Sequence, residues 1–255
     1  MPLEEALEPL ALDTAFWLGA VDDPNTPIDQ LGEVCLELEQ KLSGLGIILL
    51  VSRGDSDAFL HNLIRAGRIW ETFLTRCGIG GHTDDHNFCA GLVSPLVDAV
   101  AARDDALAGR IAAISPTQFR DGHESEDDFC YARAFISLFD GKARLDVLRP
   151  LLDRCAETGN SMSAARVEVL EAIGNRQPDA FEEAFEKLLG ARRSEIAVDI
   201  ARGQVAEPAV LAHRRVFVEG IALLNLAERF GIATQSDYLM CPSIARFPMV
   251  RPFAG

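Results

Sequence analysis

The sequence predicts an all-α protein: an irregular stack of helical hairpins around a long buried C-terminal helix, closed by a short non-helical tail. Three observations lead there. Apolar residues recur at three- and four-residue spacing along most of the 255 positions, the pattern of a helix with one buried face. No stretch alternates apolar and polar residues as a half-buried strand would. The densest apolar run of the second half, IALLNLA from Ile221, stops at Gly231 and changes at once to a polar tail. Val210–Gly231 therefore reads as one buried helix on which the rest is organised. The length suits one helical domain over residues 1–255.

The elements follow in order. Leu3–Val21 reads as a helix interrupted near Pro9, because proline lacks the N–H of an interior turn. Thr26-Pro27 opens a second, with Ile28, Leu31, Val34, Cys35, Leu38 and Leu42 on one face and Gly44 just past its expected end. GIILLVSRG is apolar enough for strand or buried helix, and the lack of a second strand-like run favours helix. Ser56 is placed to cap a helix through Phe59, Leu63, Trp70 and Phe73 to a stop at Gly78. GIGGHTDD is a loop, and a helix from about Asp84 is expected to break at Pro95. Asp104–Ile114 is short and amphipathic. Ser125 and Asp128 form a variant capping box before DFCYARAFISLF. Leu145–Cys155, Ser163–Ile173 and Asp179–Ile200 continue the helical pattern. Asp57, Asp105 and Asp179 each open a helix as Asp-Ala-Phe or Asp-Ala-Leu. Their unequal spacing argues against a strict repeat and fits irregularly stacked hairpins.

Composition narrows the function classes. Apolar residues make up 48% and charged residues 25%, and no apolar run is long enough to span a bilayer. The acidic start is neither a signal nor a transit peptide, so a soluble cytoplasmic protein is expected. Thirty-nine acids against 24 bases give a net charge of −15, which repels phosphate backbones and disfavours nucleic acid as a direct ligand. The same charge would steer a basic protein partner. Six cysteines occur without metal-ligand spacing and several fall on apolar helix faces, so buried reduced thiols are expected. Trp17 and Trp70 read as core.

Candidate chemistry is sparse. In HTDDHNFC, His82, Asp85 and His86 could in principle contribute metal ligands, with Glu124–Asp128 as further acids. A site needs three or four converging groups, however, and His82 follows two glycines, ahead of any helix. Asp84 and Asp85 fit better as first-turn acids against a helix dipole, and so do Glu124, Glu126, Asp127 and Asp128. The magnesium-binding spacing DDxxD is absent. No GxSxG, His-Asp pair or phosphate-cradling GxxxxGK occurs, and His213 reads as a hydrogen-bonded surface histidine. The expectation is a non-enzyme with no metal and no cofactor.

The C-terminal stretch is more specific than its periodicity. HRRVFVEGIALLNLAERFGI followed by SDYLMCPSIAR resembles the signature of the immunity protein 49 family of bacterial polymorphic-toxin systems. His213, Arg214, Glu219, Gly220, Arg229, Gly231, Ile232, Asp237, Tyr238, Leu239 and Pro242 match it in order. Met240-Cys241 departs from it by separating Leu239 from Pro242. EDDFCYARAF, SAARVEVLEAI and PDAFEEAFEKLLGARR also look like family segments, so residues 121–255 match well and 1–120 loosely. The resemblance implies a helical immunity protein that binds and occludes a cognate toxin in interbacterial competition, with these motif residues structural. Charge suggests a basic, nuclease-like toxin, captured at the acidic edges Asp84, Asp85, Glu124, Glu126, Asp127 and Asp128. A helical-repeat adaptor is the alternative, followed by a metal-dependent helical enzyme.

Overall fold

A computed structural model describes residues 3–141, 145–203 and 207–254. Among them there are eleven α-helices and no strand: α1 (Leu7–Asp22), α2 (Ile28–Arg53), α3 (Ser56–Gly80), α4 (Ser94–Ala101), α5 (Asp105–Ile114), α6 (Glu126–Phe139), α7 (Leu145–Thr158), α8 (Ser161–Asn175), α9 (Pro178–Ala201), α10 (Pro208–His213) and α11 (Val218–Arg229). Short 3-10 turns, Leu3–Ala6 and Ser243–Arg246, flank them. Sequential neighbours pack as hairpins: α1 on α2, α2 on α3, α6 on α7, α7 on α8 and α8 on α9. The buried apolar side chains form one cluster that reaches from Ala6 to Ala245.

Helix α2 runs through GIILLVSR and ends at Gly54, whose φ of 65° lies in the left-handed region. Gly44 is thus not a terminus. A Cβ there would lie 2.8 Å from the Ala209 Cα, so glycine admits α10 against α2. Asp55, one residue before the expected Ser56, caps α3 by accepting from the Ala58 N–H at 2.9 Å. The helix continues past Gly78 to Gly80, with Gly81 at φ 71° as its left-handed stop. The helix expected from Asp84 does not form. Residues 81–93 are irregular, and Pro95 sits in the first turn of α4, where its missing N–H costs nothing. Pro9 likewise falls in the first turn of α1. Asp57, Asp105 and Asp179 all occupy first turns, as the helix dipole favours. Trp70 is buried, but Trp17 is only partly so.

The main correction concerns the C-terminal helix. Val210–Gly231 is not continuous: α10 and α11 are two short helices separated by Arg214–Phe217. The cause is the tail. The Phe217 N–H donates to the Met240 carbonyl at 2.8 Å, and the Cys241 thiol contacts the Phe217 carbonyl at 3.6 Å. A backbone group bonded to the tail cannot continue an i to i−4 ladder. Phe217 is extended, and α11 restarts behind it. Helix α11 still reaches the centre of the molecule. Its buried Asn225 donates to the Val100 and Ala101 carbonyls at the end of α4, at 3.2 and 3.0 Å. The Val100 carbonyl also accepts from the Arg103 N–H, whereas the Ala101 carbonyl belongs to the open end of α4, so the bond joins two helices and helps satisfy a terminus. Gly231, at φ 82°, ends the segment as expected.

Candidate functional site

The acidic edge is built from two loops. The guanidinium of Arg120, in the loop before α6, donates to the carbonyls of Asp84, Asp85 and Phe88, which folds residues 84–88 around it. Glu124 closes the junction from the same loop, accepting from the Gly91 N–H at 2.7 Å and the Arg120 N–H at 3.1 Å. Asp85 turns inward and accepts from the Asn87 N–H at 2.8 Å, while Asp84 is exposed. The structure therefore brings Asp84, Asp85 and Glu124 together.

Glu126, Asp127 and Asp128 lie at the start of α6 and point to other partners. Glu126 makes a bidentate pair with Arg154 of α7 at 2.7 and 2.9 Å. Asp127 accepts from the Ser163 hydroxyl of α8 at 2.6 Å. Burial opposes its charge, but the hydroxyl contacts prevail and hold the carboxyl below its ordinary value. The Ser125 hydroxyl accepts from the Asp128 N–H at 3.4 Å, the capping bond expected, and itself donates to the Asp128 carboxylate at 2.6 Å. Asp128 also approaches Arg166 at 3.6 Å. Five of the six acids thus carry internal contacts, and Asp84 presents its carboxylate most freely to solvent. His82 and His86 lie exposed in the same loop. Among the described residues, no three His, Cys, Asp or Glu side chains converge as metal ligands would.

The motif residues of the C-terminal stretch are structural in geometry. Glu219, in the first turn of α11, accepts two hydrogen bonds from Arg166 of α8, both at 2.7 Å. Arg166 in turn lies over the Tyr131 ring, 4.6 Å from its centroid. Burial would raise the Glu219 pKa, yet Arg166 outweighs it and holds the carboxyl below its ordinary value. Tyr238 donates to Glu182 of α9 at 2.8 Å and accepts from the Gln235 N–H. Asp237 accepts from the Ser243 N–H at 2.7 Å, fixing the turn that contains Leu239 and Pro242. Leu239 is exposed. Met240, at φ 63°, supplies the carbonyl that Phe217 binds, and the buried Cys241 sits where a Cβ on Gly220 would intrude. The dipeptide that departs from the family pattern is what anchors the tail.

One polar constellation escaped the sequence reading. Glu39 of α2 and Asp98 of α4 are both almost fully buried and border the same cavity. Burial pushes Glu39 up to about 7, and burial together with the charge of Glu39 raises Asp98 well above the usual carboxylate range. The cavity, of about 230 Å³, is also lined by Arg166, Arg192, His213 and Glu219. His213, expected at a surface, is largely enclosed, and burial lowers it to about 4, so the imidazole is neutral at physiological pH. Asp98 Oδ2, Arg192 Nε and His213 Nε2 have no protein partner. The clue in the sequence was a lone acid within each apolar stripe, in LELEQKL and in SPLVDAVA. All six cysteines are free and buried, and burial raises every thiol, Cys35, Cys155 and Cys241 to about 12, so none is an activated thiolate.

Among the described residues no helix is long and apolar enough to cross a membrane. A family model described as immunity protein 49 matches residues 57–245, about three-quarters of the chain, and takes in the second half of the N-terminal 120 residues. No curated protein and no solved structure matches the chain. The matched span contains the Arg120 junction, the Arg166–Glu219 pair and the tail anchor. The chain belongs to the immunity protein 49 family, and so is an immunity protein, of a typically non-catalytic kind, whose partner is a cognate toxin.

Proposed function

We propose that the protein acts in the cytoplasm of the producing cell and neutralises its toxin by direct binding, covering the active site or blocking a required motion. The observation that carries this reading is the family match together with a net charge of −15 on a scaffold whose polar contacts serve packing. Neutralisation by occlusion needs affinity and rapid capture, and long-range charge supplies the second. The toxin is then a basic protein, nuclease-like in having a cleft that attracts phosphate. Asp84, with Asp85 and Glu124 beside it, forms part of the surface that meets the toxin, and Glu126, Asp127 and Asp128 extend the same negative field.

The internal contacts decide which acid tests this cleanly. Reversing Glu124 or Glu126 would also break a junction, whereas Asp84 uses only its backbone carbonyl in the fold. Asp84→Lys is expected to slow association with the toxin by about threefold at low salt while leaving dissociation and thermal unfolding unchanged, as rim charges do. For the unmodified protein, association rates by stopped flow should fall steeply as salt rises. Rates independent of salt would rule out the electrostatic part of the reading.

A further inference from the structure

The outer face of α1 is an unpartnered apolar strip set in the most negative part of the molecule. Helix α1 packs against α2 through Leu7, Leu10, Thr14 and Val21. Glu8, Leu12, Phe16 and Gly19 fall on the opposite side, at the three- and four-residue steps that align side chains along a helix. Leu12 is 68% exposed and Phe16 is 73% exposed. Phe16 stands edge-on to the partly buried Trp17, with centroids 5.5 Å apart. Scattered single apolar residues need no explanation, but an aromatic ring beside an exposed leucine on one strip is the form of an interface anchor.

Charge says what would cover it. The first forty residues hold ten acids and no lysine, arginine or histidine. Glu39 is buried, Asp13 and Glu37 pair with Lys41 and Glu4 with Arg53, which leaves Glu5, Glu8, Asp22, Asp23, Asp29 and Glu33 as exposed negative charge. Glu5, Glu8 and Asp22 have no ion-pair partner among the described residues, and Glu5 and Glu8 lie at one end of the strip with Asp22 at the other. The negative surface is continuous with the acidic edge. Ile28 and Asp29 at the start of α2 line one shallow depression with Asp84, Asp85 and His86, and Glu33 approaches His86 at 3.7 Å. A second copy of the chain would bring two such faces together and meet like-charge repulsion, and an anionic lipid surface would be repelled in the same way. A basic protein fits both the rim and the centre. Moreover, the family match begins at Asp57, so α1 and α2 lie outside the part of the chain that the family model describes. A surface that selects one toxin is suited to that position, because selectivity requires contacts that differ between partners.

We infer that the Leu12–Phe16 strip of α1, rimmed by Glu5, Glu8 and Asp22, docks onto a basic surface of the cognate toxin and supplies the apolar anchor of the complex. This rests on the toxin-binding reading above and assigns its energetic centre. Association begins on the negative field of α1, α2 and the 84–85 loop, and Phe16 and Leu12 then lose their water against the toxin.

The test uses the full chain and, as probe, the toxin domain encoded beside its gene, inactivated at its catalytic centre. Binding is measured by surface-immobilised kinetics for the unmodified protein, for Leu12→Ala with Phe16→Ala, and for Glu8→Lys with Asp22→Lys. All four positions are exposed, and thermal unfolding verifies that each variant folds. Removing the anchor is expected to weaken the equilibrium by about thirtyfold or more, mostly through faster dissociation. Reversing the rim is expected to slow association by about tenfold at low salt, with the difference shrinking at high salt. Unmodified protein that binds while both variants bind equally well would overturn the docking face and leave the toxin reading standing. Unmodified protein that fails to bind would remove both. A concentration-dependent dimer dissolved by Leu12→Ala with Phe16→Ala would also overturn the inference, since the strip would then be covered by a second copy.

Discussion

Glu219→Gln is expected to destabilise the protein by about 3 kcal/mol, at the lower end of the range for breaking a mostly buried ion pair by removing one partner. The substitution preserves shape and deletes charge. Arg166 would remain over the Tyr131 ring with its guanidinium desolvated and only Asp128, at 3.6 Å, to offset it. The loss should appear as a lower urea midpoint with an unchanged slope. Arg166→Met combined with Glu219→Leu is expected to recover most of it, because replacing both charges leaves no orphan. A Glu219→Gln variant as stable as the parent would show that this pair does not hold α8 to α11. The same experiment separates a structural motif residue from a toxin-contacting one: stability falls, and toxin binding by the protein that remains folded should not change.

The second large effect is a dependence of stability on pH. Glu39 and Asp98 bind protons more tightly in the folded protein than in the unfolded chain, since burial raises both. Their contribution is fully present below the unfolded values and is lost as pH rises, for Glu39 from its ordinary 4.5 through its folded value of about 7. His213 has the opposite sign. Its folded value of about 4 lies below its ordinary 6.5, so its contribution is present above 6.5 and is lost as pH falls through 4. The two slopes oppose one another between 4.5 and 6.5, which is why the comparison must be made between variants. Glu39→Gln keeps an acceptor for the Asp98 proton and removes one titration. It is expected to gain on the parent as pH rises from 4.5 to 7, by on the order of 3 kcal/mol. Parallel stability curves would show that burial does not raise the Glu39 carboxyl.

Local chemistry was legible in the sequence, and non-local chemistry was not. The helical class, the Ser125–Asp128 capping box, the left-handed Gly231 and the buried thiols each depend on residues within a few positions of one another. The break at Arg214–Phe217 depends on the Met240 carbonyl, 23 residues after Phe217, and no periodicity in Val210–Gly231 could announce it. Glu39 and Asp98 meet only because α4 lies against the first helical hairpin. Gly44 was misread for a related reason, since a glycine that ends a helix and one that admits a neighbour look alike until Ala209 is placed. The acidic edges were visible as composition. Their separation into an exposed Asp84 and five internally bonded acids required Arg120, Arg154 and Ser163 to be brought to them by the fold.

These contacts describe a scaffold whose polar interior serves packing and whose negative exterior serves capture. Neutralisation by such a protein is a binding event, and that is open to one direct measurement. Purified toxin, at a concentration well above the dissociation constant, is titrated with the immunity protein and its residual activity is followed over time. Binding predicts activity that falls in proportion to added protein, reaches its floor at a fixed molar equivalence, and does not change on longer incubation. Activity that continued to fall at a small fraction of that equivalence would contradict it, because one immunity molecule would then be inactivating many toxins.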